Sequence, residues 1–157
     1  VGCAWRSNLR QELEGIRIKP IMSGFTINTI DYGIDQPNKP VIVPDGITSV
    51  RFGPKFNQPI VLPLLVVEVM FGRDFNQPIH LHEGIEFAFF GTTFDQPIVI
   101  PNSTRDICFG DAFSHYVCIP NNVEYIEFGA SMNKDIQIPE STATAEQIID
   151  GVRYSLI

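Results

Sequence analysis

Long apolar runs are missing from this chain. Nothing approaches the ~20 residues that a membrane-spanning helix needs, and the first twenty residues lack the apolar middle of a signal peptide. No membrane is therefore expected among its partners. Positive charge is also scarce. Basic residues number 11 against 18 acidic ones, for a formal net charge of −7, and no Lys/Arg stripe reverses that balance locally. Phosphate backbones are repelled, which excludes nucleic acid. Cysteine is limited to Cys3, Cys108 and Cys118. Their spacing is not that of metal ligands, and three cannot all pair within one chain, which fits a reducing, intracellular compartment.

What the chain has in quantity is Gly, Pro and Phe, 12 of each. Gly and Pro interrupt helices, so at this density they mark turns with short strands between them. The turns recur regularly. "FGPKFNQPI" from Phe52, "FGRDFNQPI" from Phe71 and "FGTTFDQPI" from Phe90 are near copies, and aligning on Phe-Gly extends the series through Phe109 and Phe128 at a constant interval of 19 residues. Tyr32-Gly33 opens one more copy, stretched by a residue, which makes six. The pattern decays at "FGDAFSHYVCIP" and "FGASMNKDIQIP" but keeps its apolar positions.

A fixed period near twenty residues means that each repeat is one turn of a solenoid, a coil that buries its apolar side only by stacking on its neighbours. Each copy ends V-x-x-I-x-F, as in "VVEVMF" from Val66 to Phe71. This matches the opening of a leucine-rich repeat and predicts the strand that lines a concave face. A second alternation (Ile60 and Leu62, Ile79 and Leu81, Ile98 and Ile100, Val117 and Ile119, Ile136 and Ile138) predicts another extended segment opposite it. Two such segments and two corners leave no room for a convex helix. The expected fold is mostly β: a leucine-rich-repeat-like solenoid of short 19-residue coils, with parallel strands on the concave face, little or no convex helix and short helical caps. It divides into an N-terminal cap with a partial repeat over 1–31, a solenoid of six coils over 32–140 and a C-terminal cap over 141–157.

Equivalent residues then form columns. Phe52, Phe71, Phe90, Phe109 and Phe128 make one buried column; Phe56, Phe75, Phe94, Phe113 and Met132 make a second. Glycine follows the first aromatic in every copy (Gly33, Gly53, Gly72, Gly91, Gly110, Gly129), where the backbone needs positive φ or approaches the neighbouring coil closely. Prolines open the second segment (Pro59, Pro78, Pro97) and close it (Pro63, Pro101, Pro120, Pro139), where no ladder hydrogen bond is lost. Asn57, Asn76, Asp95, Ser114 and Asn133 follow the second aromatic column. Their side chains are expected to satisfy backbone groups of the adjacent coil, as a structural ladder rather than a ligand set. At the ends, "SNLRQELEGIRI" from Ser7 places Leu9, Leu13 and Ile16 on one face of a short capping helix; Trp5 either seals that end, the favoured reading, or stands loose in solvent. "STATAEQIIDGVRYSLI" predicts a helix over 143–150 stopped by Gly151, then an extended piece.

"FNQPI" twice and "FDQPI" once, each inside an "FG…FNQPI…IP…V…I" frame, resemble the FNIP repeat, a leucine-rich-repeat variant known chiefly from amoebal proteins and large DNA viruses of protists. The resemblance covers about residues 32–140. It implies a recognition array that binds a protein partner, in the host cytoplasm if the source is viral. In that family an F-box that recruits a ubiquitin ligase often precedes the repeats; the N-terminal residues here are too few for one.

A binding site is expected on the concave strands. Their outward side chains form two columns, Ser49, Glu68, Phe87, Asp106 and Tyr125 beside Arg51, Met70, Phe89, Cys108 and Glu127. Solvent alone would favour polar residues, yet Met70, Phe87, Phe89 and Tyr125 fall on nearby strands, enough to exceed the ~400 Å² of apolar patch that marks a partner. With Glu68 and Arg51 they are the candidate partner-binding residues. The competing reading is a locally shifted register at "EGIEFAFFG", where small Ala88 stands at the place of Val69 and Ile107. His80, His82 and His115 lack a recurring carboxylate partner and are expected in solvent; no metal or other cofactor is expected. Cys108 and Cys118 project from opposite faces, which bars a disulfide between them. No Ser, Cys or Lys stands beside a base and a third orienting group, so the chain reads as a non-enzymatic scaffold binding a protein through its concave face. The alternative is a self-associating solenoid, two copies meeting as a dimer through that patch or a solenoid end.

Overall fold

In the computed structural model, the described residues are 29–32, as backbone, and 41–157. The helix expected from Ser7, Trp5 and Gly33 lie outside them. Nineteen residues bring the chain back beside itself. Strands β1 (Thr29–Tyr32), β2 (Ser49–Phe52), β3 (Glu68–Met70), β4 (Phe87–Phe89), β5 (Asp106–Cys108), β6 (Tyr125–Phe128) and β7 (Thr144–Ile149) follow one another across a single sheet, each parallel to the one before. The register steps from Ser49 to Glu68, Phe87, Asp106, Tyr125 and Thr144, 19 residues each time. From Thr29 to Ser49 it steps by 20, the stretch read in the Tyr32 copy. The molecule is a β-solenoid of short coils, with no helix among the described residues.

Each coil turns twice. The first corner follows Phe-Gly and is closed by the Phe56 N–H donating to Gly53 O at 3.1 Å; the second follows the closing proline, where the Val66 N–H donates to Pro63 O at 3.0 Å. Between them Ile60 and Leu62 point inward and Val61 outward, as the alternation requires. These second segments form no ladder with one another. A proline at one or both ends of each segment removes donors that a ladder would use, so the segments run extended without becoming strands.

The core between sheet and second segments is aromatic. Phe71 stacks on Phe75 of its own coil at 3.9 Å between ring centroids, and on Phe90 of the next at 5.4 Å; Phe75 stacks on Phe94 at 6.0 Å. The two columns are thus joined rung by rung, with Met132 at the end of the second. The corner glycines serve close approach, since none of Gly53, Gly72, Gly91, Gly110 and Gly129 has positive φ. A Cβ built on Gly91 would lie 2.1 Å from Gly72 O.

The polar column is a ladder. Asn57 Oδ1 accepts from the Asn76 N–H at 2.9 Å and from Gln77 Nε2 at 3.1 Å; Asn76 Oδ1 accepts from the Asp95 N–H at 3.0 Å and from Gln96 Nε2 at 3.1 Å. Asp95 Oδ1 then takes the Ser114 N–H and hydroxyl, both at 3.0 Å. At Asn133 the series turns inward, its Oδ1 accepting from the Asp135 N–H of the same coil.

The C-terminal helix expected over 143–150 is not there. That stretch is β7, followed by β8 (Val152–Ser155), which runs antiparallel to it. Asp150 and Gly151 both have positive φ, 51° and 79°, the two-residue reversal whose twist suits a hairpin. Gly151 ends no helix; it completes this turn. The edge of β6 overrides the helix propensity of "TAEQII", because its backbone groups find partners along four residue pairs of β7.

Phe90 stacks on Phe71, Phe94 and Phe109, so Phe90→Ala lowers unfolding free energy by about 3–5 kcal/mol in chemical denaturation. Gly91→Ala sets a methyl against backbone that cannot retreat and lowers it by about 3 kcal/mol or more, measured in the same way.

Candidate functional site

The outward columns exist as continuous rows. Glu68, Phe87, Asp106 and Tyr125 stand side by side in register, as do Met70, Phe89, Cys108 and Glu127. Val69, Ala88 and Ile107 alternate with them and are fully buried toward the aromatic core. There is consequently no register shift at "EGIEFAFFG". Ala88 occupies the core place with a smaller side chain, and Phe87 and Phe89 lie on the sheet face turned away from the phenylalanine columns.

Exposure on that face is uneven. Met70 and Tyr125, expected in an open patch, are each 8 % exposed, whereas Phe87 and Phe89 are half-buried. Cys108 and Tyr125 form a small apolar cluster against Phe89, separate from the main core. Parallel strands about 4.8 Å apart bring neighbouring side chains into contact, so the accessible apolar part of the site narrows to Phe87 and Phe89. Around it, Glu68 accepts from Ser49 Oγ at 2.9 Å, and Arg51 stands opposite Met70, half-buried. Asp106 lies between Phe87 and Tyr125; burial, and next the charge of Glu124, push its carboxyl pKa up.

A polar cluster that the repeat does not announce adjoins this row. The Tyr125 hydroxyl lies 3.1 Å from Glu127 Oε2 and 3.1 Å from Glu146 Oε2. From β8, Arg153 hydrogen-bonds Glu146 and lies 3.7 Å from Glu127 Oε2. Burial first, then the Glu127 carboxylate, push the Tyr125 phenol well above its ordinary range, so it keeps its one O–H, which the two carboxylates share as acceptors. The guanidinium balances carboxylates that would otherwise repel one another, and the cluster fastens the hairpin to the last coil. Glu146 and Arg153 come from beyond the final Phe-Gly, outside the repeat. The available signal was Glu127 itself, a carboxylate following Arg51, Met70, Phe89 and Cys108 in its column.

The histidines differ from expectation at one position. His80 is exposed and His115 half-buried, its Nε2 3.6 Å from Asp95 Oδ1 at the end of the amide ladder. His82 is buried. It stands where other coils place the closing proline, and its ring nitrogens lie 2.9 Å from Pro63 O of the previous coil and 2.9 Å from Glu83 O. Carbonyls of the corner hold it in place. Cys118 is exposed and free, whereas Cys108 is disulfide-bonded, which runs against the reducing compartment expected from the three cysteines. Among the described residues, no three His, Cys, Asp or Glu are placed to hold a metal ion, and no helix is long and apolar enough to cross a membrane.

No protein-family model, curated protein or solved structure matches this chain.

Folding raises the Tyr125 pKa above its unfolded value. The neutral phenol therefore contributes stability that is whole below about pH 10 and is lost as pH rises through the higher folded value. In urea denaturation at successive pH values, wild type loses stability above about pH 10 more steeply than Tyr125→Phe.

Proposed function

We propose that the protein is a non-enzymatic scaffold that binds a protein partner through the sheet face carrying Phe87 and Phe89. The supporting observation is the unbroken register of β3, β4 and β5, which keeps two half-buried phenylalanines on a face where solvent would favour polar side chains. Buried aromatic anchors within a polar rim carry most of the energy of protein interfaces. Phe87 and Phe89, backed by Met70, form such a centre, and Arg51, Glu68 and Asp106 supply the rim. Tyr125, engaged by Glu127 and Glu146, acts as a wall beside it. The FNIP-like wording of the coils, which implies an intracellular recognition array, favours the same reading.

Replacing both anchors, Phe87→Asp with Phe89→Asp, reduces recovery of crosslinked partner proteins by at least about tenfold while the denaturation midpoint stays close to wild type. Recovery unchanged in a folded variant overturns the reading.

A further inference from the structure

The outer strand of the sheet, β8, is unguarded. Edge strands are ordinarily protected by charges, prolines or bulges. Val152, Arg153, Tyr154 and Ser155 include no proline, and their single charge is turned aside to Glu146 and Glu127. All four residues are exposed, Val152 at 53 % and Tyr154 at 50 %.

The backbone geometry states what fits this edge. Leu156 donates its N–H to Ala145 O at 2.9 Å, in a register that pairs Gln147 with Tyr154 and Ile149 with Val152. Bonded and non-bonded pairs alternate along an antiparallel ladder. Tyr154 and Val152 are thus bonded to β7, and the N–H and C=O groups of Arg153 and Ser155 point outward.

We propose that β8 pairs antiparallel with β8 of a second copy of this chain, about a twofold axis at Tyr154. In that register Arg153 of each copy faces Ser155 of the other. The outward N–H and C=O groups of both residues are satisfied reciprocally, four hydrogen bonds with none left over on either strand. Like charges are not opposed, because each guanidinium meets a serine. The two Tyr154 rings meet at the axis, where a non-bonded pair brings side chains closest, and each Val152 lies across from Leu156 of its mate. A twofold contact of this kind closes on itself, so the assembly is a dimer rather than a fibre. Four-residue strands bury less than the roughly 1,200 Å² of a stable interface, so association is weak and concentration-dependent. The dimer edge is separate from the Phe87 and Phe89 face, and the two surfaces are tested independently.

The test is sedimentation velocity of the full chain from about 1 to about 500 µM. Wild type shifts from monomer to dimer over this range. Ser155→Pro deletes an outward N–H that no bond to β7 uses, and Tyr154→Lys sets two ammonium groups face to face at the axis. Each raises the dimer Kd by at least about tenfold, with the denaturation midpoint as the check on folding. Wild type remaining monomeric throughout, growing past the dimer, or dimerising equally well in both variants overturns the proposal.

Discussion

A carbonyl oxygen standing where a Cβ would have to be sets the pitch of this molecule. Methyls built on Gly72, Gly91, Gly110 and Gly129 would lie 2.1–2.4 Å from the carbonyl oxygen of the glycine one coil earlier. That contact lets the corners approach at the spacing of parallel strands. The same spacing lays Phe71 over Phe52 at 5.2 Å and brings the Asn76 N–H to Asn57 Oδ1 at 2.9 Å. Sheet, ring columns and amide ladder all use one repeat distance. None of the three then works against the others, which is the consistency expected of a sequence with one folded answer.

The two sides of the sheet show how one register serves two purposes. Inward, alternate strand residues fill the aromatic core. Outward, the same alternation displays Phe87 and Phe89, then Tyr125 with its acidic neighbours. The polar cluster is a joint between different kinds of structure: Tyr125 and Glu127 belong to the last strand of the repeat, Glu146 and Arg153 to the hairpin that follows. Apolar columns continue from coil to coil by stacking alone. At the hairpin, charge pairing takes over part of that work, because β8 runs antiparallel and does not continue the columns of the parallel strands.

Most of the solenoid is legible from the chain because its columns are filled by residue types with few structural alternatives. A phenylalanine, a glycine and an amide recurring at one interval identify core, corner and ladder together. Resolving the role of glycine required coordinates, since positive φ and close approach leave the same letter in the sequence. The prolines around residues 60–62 were visible, but their consequence, an extended segment without a ladder, depends on counting lost donors rather than on alternation. "TAEQII" misled because propensity speaks for the isolated segment, while the open edge of β6 decided its fate. His82 misled because a histidine in a proline column is a single departure with no period to interpret it.

Every column joins a coil only to the coils directly before and after it, and this gives the gene an unusual freedom. An in-frame duplication or loss of nineteen codons anywhere between Phe52 and Phe128 returns each ring, glycine and amide to a like neighbour, so the rod changes length without a misfit in its interior. A gain of one codon has no such escape within the packed corners. Ancestral copying by whole units, followed by drift of the outward letters, would leave a record of this form: nearly identical phrases at the centre and worn ones toward the C-terminal coils.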